Sequence, residues 1–238
     1  MYFFSFVLLC GMKNTVISII YFLIGIICII LLNQSVFWPG FVSKALIIPV
    51  LIILFLANVN PLSNKLQKLM LAGLFFSWAG DAVLEFPGNN SNFFKFGLVC
   101  FLLTHLLYLT VFFLTPGKNP ILSNRIYFLI PIIIYGVVFV SYLYAGLAEM
   151  KVPVILYTII ILTMLTAAIN RVDKVNKVSY YLVLAGAILF VISDSTIALS
   201  KFSHPFESSG IVIMATYIVA QYLIVIGYIA QNRKFKPE

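Results

Sequence analysis

Charge is scarce in this chain. Asp and Glu together number 7 of 238 residues, and charged residues make up 9% against 63% hydrophobic. A soluble domain of this length could not hide so much apolar surface, so lipid is the solvent such a composition requires. Histidine is scarcer still. His105 and His204 are the only two, too few for a three-His zinc site. Cys10, Cys28 and Cys100 form an odd set without paired spacing, which argues against a disulfide framework or a cysteine-based zinc site. No G-x-S-x-G elbow occurs, and Ser193, beside Asp194, has no evident base to activate it. The opening MYFFSFVLLCGMK lacks a basic n-region and a small-residue cleavage site, and its apolar run is too short to span. It reads as an interfacial extension over 1–14, not as a signal peptide.

What the chain has in abundance is long apolar runs. Eight of them, at about 15–32, 36–57, 66–86, 94–115, 125–145, 152–169, 179–200 and 209–231, approach the roughly 20 residues that cross a bilayer. Turn-like breaks such as FPGNNSN and TPGKNPILSNR separate them. The expectation is one all-α integral membrane domain of eight transmembrane helices over 15–231, followed by a basic tail at 232–238. Lys and Arg set its direction: eleven fall in one set of gaps and three in the other, with Lys44 inside a run. The positive-inside rule then puts both termini in the cytoplasm. The net charge of +8 is read as topology, with no nucleic-acid partner.

Ionisable groups inside such runs cost of order 2.5–3.5 kcal/mol each at a helix centre, so they are kept for a use. They are few: Lys44 in the second run, Asp81 and Glu85 in the third, His105 in the fourth and Asp194 in the seventh. Tyr108, Tyr157, Tyr217 and Gln221 add weaker polar groups. Asp81 comes about 15 residues into an outward-running helix, hence roughly 22 Å along a core of about 30 Å. Asp194 falls at a similar depth, and the expectation is one polar pocket open towards the non-cytoplasmic half. Glu85 is expected to reach water at the outer interface. Pro49, Pro131 and Pro153 are read as kinks or helix starts.

An internal echo runs through the same residues. Ala72-Gly73 precedes Asp81 by the interval at which Ala185-Gly186 precedes Asp194; Lys44 and Tyr157 each lie 37 residues before an aspartate; and a shift of 113 brings Tyr108 onto Gln221. A parallel four-plus-four repeat would produce this pattern.

Five stretches carry a family likeness: Lys44 with Pro49, FSWAGD at 76–81, FGLVCFLLTHLLY at 96–108, AGAILFVISDSTIALSKF at 185–202, and MATYIVAQYLI at 214–224. In this order they resemble the YhhN-like lysoplasmalogenases, over about residues 36–230. The resemblance implies a multi-pass membrane hydrolase, in the plasma (inner) membrane if the host is bacterial. It would cleave the vinyl ether bond of lysoplasmenylethanolamine or -choline, releasing a fatty aldehyde and glycerophosphoethanolamine or -choline. By match of motif it implies Asp81 and Asp194 as the catalytic pair, with Lys44, His105, Tyr108, Tyr157, Tyr217 and Gln221 binding a lysophospholipid and no cofactor.

Vinyl ether hydrolysis needs a neutral acid to protonate carbon, a negative charge near the resulting cation, and a placed water. Two carboxyl groups in differing surroundings can share that work, and Asp81 and Asp194 could divide it. Two Asp and one His could also hold a metal, but nothing in their spacing points to one. The alternatives are a small membrane transporter, a lipid-binding protein, or a hydrolase of a different lysolipid. The lack of a Gly/Pro-broken helix pair weighs against a carrier.

Overall fold

A computed structural model describes residues 12–34, 37–59, 62–85, 91–117, 126–204 and 206–231. The N-terminal extension, apart from its last residues, and the basic tail lie outside the described residues. Eight α-helices occur among those described. They are α1 (Met12–Asn33), α2 (Phe37–Asn58), α3 (Lys65–Leu84), α4 (Ser91–Phe113), α5 (Leu129–Leu143), α6 (Lys151–Ile169), α7 (Lys177–Phe202) and α8 (Ser209–Ala230). Six of them, all but α3 and α5, are long and apolar enough to cross a membrane. With the apolar composition, they make this a multi-pass membrane protein. The fifteen residues of α5 reach only about 22 Å, and α3 is diluted by Lys65, Lys68 and Asp81.

Local chemistry sets the helix ends. Asn64 caps α3: its side chain accepts from Leu66 N at 2.9 Å, while the Gln67 side chain accepts from Asn64 N at 3.2 Å. Each side chain thus satisfies a backbone donor that the first turn would leave free. Asn176 does the same for α7, accepting from Ser179 N. Pro131 and Pro153 stand in the first turns of α5 and α6, where a missing N–H costs nothing. Pro49 lies inside α2.

Packing is inside-out relative to a soluble protein. Ile19, Leu23 and Ile26 of α1, and Ile130, Ile133 and Val137 of α5, face outward, while Asp81, His105, Ser77 and Gln221 are buried. The burial centre is α8, with 56% of its span covered against 22% for α1. Small residues bring the helices close enough to exclude lipid. A Cβ on Gly73 would meet the Tyr108 ring at 2.6 Å, one on Gly80 would meet the Phe101 ring at 2.8 Å, and one on Gly186 would meet the Ala220 carbonyl at 2.8 Å. So α3 lies tightly along α4, and α7 along α8.

At the ends of α6 and α8, Arg171 is fully buried. Its Nη2 donates to Ser179 Oγ at 3.1 Å and to Gln231 Oε1 at 2.9 Å, and the guanidinium stands 5.4 Å from the centre of the Phe112 ring. Burial pulls its pKa down to about 10, and the carbonyl ends of α6 and α8 favour the cation.

Candidate active site

The α3–α4 and α7–α8 contacts bring two polar clusters into the core. In the first, Asp81 is 2% exposed. Tyr217 OH donates to its Oδ2 at 2.6 Å. Ser77, one turn before Asp81, lies 2.7 Å from Tyr217 OH, and Gln221 Nε2 donates to Ser77 Oγ at 2.7 Å. Tyr108 OH donates to Gln221 Oε1 at 2.9 Å. Because Tyr217 spends its proton on Asp81, the Ser77 hydroxyl must donate to Tyr217 while accepting from Gln221. Every hydrogen bond in this chain therefore points towards the carboxyl group. On its other side, Lys44 Nζ lies 4.0 Å from Asp81 Oδ1 and 2.7 Å from Glu85 Oε1.

The second cluster surrounds Asp194. Tyr157 OH donates to Asp194 Oδ2 at 2.5 Å, and His105 Nε2 stands 3.6 Å from the same oxygen. His105 Nδ1 is 2.6 Å from the Phe101 carbonyl. A carbonyl can only accept, so Nδ1 carries the proton and Nε2 is left as an acceptor. That Nε2 is buried with no hydrogen-bond partner, which is uncommon for a polar atom out of water. Asp194 Oδ1 is likewise engaged by no hydrogen bond among the described residues.

Beside this second cluster lies a small, half-open cavity of about 60 Å³, bounded by α4 to α7 with Leu84 from the end of α3. Apolar side chains, among them Phe94, Phe101, Phe139, Ile161, Val191 and Phe202, make most of its wall. Its polar points are Asp194, Tyr157, Thr158, and the hydrogen-bonded pair Tyr135 and Ser195, whose hydroxyls lie 2.6 Å apart. Neither Asp81 nor Lys44 lines it.

All eight residues singled out from the sequence thus sit in one or other cluster: Lys44, Asp81, Tyr108, Tyr217 and Gln221 in the first, and His105, Tyr157 and Asp194 in the second. The single pocket expected from matching depth is instead two clusters, and no hydrogen bond or ion pair joins Asp81 to Asp194 among the described residues. Aromatic packing lies between. The Phe190 ring is 4.8 Å from His105 and 5.7 Å from Tyr217, and Phe101 meets Tyr217 at 5.9 Å. Glu85, expected at the water interface, keeps 28% of its side chain exposed but binds Lys44. Sequence reasoning passed over Ser77, Phe190 and Ala198. Ser77 alone had a visible signal, since it stands one turn from Asp81 on the same face.

No group of three or more His, Cys, Asp or Glu side chains arranged to hold a metal ion occurs among the described residues. The chain is 31% identical to lysoplasmalogenase TMEM86B of Sus scrofa over 201 residues, covering 84% of this chain and 79% of that protein. It is 35% identical to lysoplasmalogenase TMEM86A of Bos taurus over 159 residues, 65% of this chain and 62% of that protein. The human TMEM86B lysoplasmalogenase is 29% identical over 84% of this chain and 80% of its own length. No solved structure matches the chain. The YhhN family model matches residues 39–228, which takes in both clusters and the cavity, and the chain belongs to the YhhN family.

Proposed function

We propose that this protein is a membrane lysoplasmalogenase. It takes a single-chain vinyl ether phospholipid from the bilayer and releases a fatty aldehyde and the glycerophospho-base. The observation that carries the reading is the apolar cavity with a carboxyl group on its wall, in a chain whose curated relatives bear that activity in their names. Apolar walls suit a lipid chain, and few polar groups are needed to place one bond against one acid.

In this reading Asp194 is the general acid. Its Oδ2 is held by Tyr157, and the residue lines the cavity. The acid proton passes to the β-carbon of the vinyl ether, and the resulting oxocarbenium ion sits beside the Asp194 carboxylate. Water adds to the cation, its proton is taken up by the Asp194 carboxylate, and the hemiacetal collapses to aldehyde and alcohol. One water is consumed and the acid is restored.

Asp81 is the second carboxyl group, working from behind. It fixes Tyr217, whose ring packs on Phe190, which in turn packs on His105. Lys44 serves Asp81 and Glu85 in this arrangement and does not reach the cavity.

All eight helices cross the bilayer in this reading. The contacts of Gly73 with Leu107 and of Gly80 with Cys100 lay α3 antiparallel beside α4, so the two share a depth range. The termini are cytoplasmic and Asp194 lies in the outer half.

The test is aldehyde release by the purified full chain from lysoplasmenylethanolamine, with the matching ester lysolipid beside it. Aldehyde release supports the reading. Turnover of the ester alone points to a different lysolipid, and turnover of neither points to a binding or transport protein.

A further inference from the structure

The two clusters are built on one plan. Gly73 approaches Leu107 and Gly80 approaches Cys100 between α3 and α4. A shift of 113 turns the first contact into Gly186 against Ala220, which also exists. It turns the second into Ser193 against Ile213, where Ser193 Oγ donates to the Ile213 carbonyl at 3.1 Å. The helix pairs α3–α4 and α7–α8 therefore share a register. The same shift carries Lys44 and Asp81, 4.0 Å apart, onto Tyr157 and Asp194, 2.5 Å apart. Tyr108 and Gln221, also 113 residues apart, hydrogen-bond to one another. A residue can meet its own counterpart only beside the axis relating two copies.

The plan is filled differently in each half. Lys44 and Glu85 occupy the space beside Asp81. Their counterparts beside Asp194 are Tyr157 and Ala198, and both line the cavity. The outer cover differs too. In α1, Tyr21 is buried and donates to the Ile218 carbonyl at 2.8 Å. Its counterpart in α5, Ile134, is 57% exposed, so α5 does not close over the Asp194 cluster as α1 closes over the Asp81 cluster beside Tyr217.

We propose that the cavity beside Asp194 is the open twin of a half-site that Lys44 and Glu85 close beside Asp81, and that Ala198 sets the bulk of lipid chain admitted there. The methyl group at 198 leaves the space that a carboxylate takes in the first half. The ligand class, a single-chain ether lipid, rests on the function proposed above, so the test reads binding as well as turnover.

The probes are two non-hydrolysable 1-O-alkyl lysophosphoethanolamines, one with a ten-carbon and one with an eighteen-carbon chain. They are titrated into the full chain in nanodiscs, wild type against Ala198→Gly, Ala198→Leu and Ala198→Phe. The matching alkenyl lipids are assayed in parallel for aldehyde release. The expected result is that Leu and Phe weaken binding of the long chain by roughly tenfold or more relative to the short one, as unaccommodated methylenes do in a filled pocket. Ala198→Gly should keep the wild-type preference. If Ala198→Phe fails to fold, Ala198→Leu decides. An unchanged ratio of long-chain to short-chain affinity in the folded Leu variant overturns the proposal. A changed ratio without any aldehyde release upholds the site while overturning the hydrolase reading.

Discussion

Asp81 and Asp194 stand in matching frames, each with a partner 37 residues upstream, yet one side chain is 3% exposed and the other 12%. The difference begins with the partner. Lys44 brings a charge into the core, and a buried charge needs further compensation, which Glu85 supplies at 2.7 Å. Two long side chains then fill the space. Tyr157 brings a hydrogen-bond donor without a charge, so no second carboxylate is required and Ala198 suffices. Choosing a phenol over an ammonium is what leaves room for a ligand.

The largest expected effect tests whether that room matters. Asp194→Asn should lower aldehyde release by roughly 10²–10⁴-fold, the usual worth of a general acid, with its thermal midpoint close to wild type. Asp81→Asn should lose less activity and more stability, since Lys44 then keeps only Glu85. Equal activity losses with both midpoints unchanged would collapse the distinction and restore a symmetric pair.

The next effect concerns the partners. Lys44→Met strands two carboxyl groups and should destabilise the fold by about 3–5 kcal/mol, the typical cost of breaking a buried pair from one side. Adding Glu85→Gln should recover part of it. Tyr157→Phe removes one hydrogen bond from a carboxyl group that still borders a cavity, so its stability cost should be about 1 kcal/mol while turnover falls more steeply. Detergent unfolding curves and aldehyde release measured on the same preparations separate the two. A Lys44→Met protein as stable as wild type would show that the first half is not closed by its ion pair.

Much of this arrangement was legible from the chain because polar residues are rare in it. Eight apolar runs correspond to eight helices, and each intramembrane polar residue found a polar neighbour. Azimuth was not legible. Which face of α4 carries His105 and which carries Tyr108 decides whether Asp81 and Asp194 meet, and a helix apolar on all sides gives no periodicity to read. Ala198 and Phe190 were invisible for the same reason, being apolar residues among apolar residues. Arg171 misled in the opposite sense. It counts among the loop charges that orient the chain, yet it is fully buried, because its helix-end position lets the guanidinium fold inward onto Ser179, Gln231 and Phe112.

The smallest expected effect bears on the axis between the halves. Tyr108→Phe leaves the buried Gln221 Oε1 without its donor, at about 1–3 kcal/mol. Gln221→Leu removes the acceptor and also the donor to Ser77. In a double-mutant cycle on unfolding, Tyr108→Phe and Gln221→Leu should fall short of additivity by roughly 0.5–1.5 kcal/mol, the net worth of one hydrogen bond. Neither residue lines the cavity, so the long-chain to short-chain preference should stay as in wild type even where stability falls. Strict additivity would mean that the two residues do not meet, and the contact that marks the axis would be lost. A shifted chain preference would mean that the closed half shapes the open one through Tyr217 and Phe190, the rings the two clusters share.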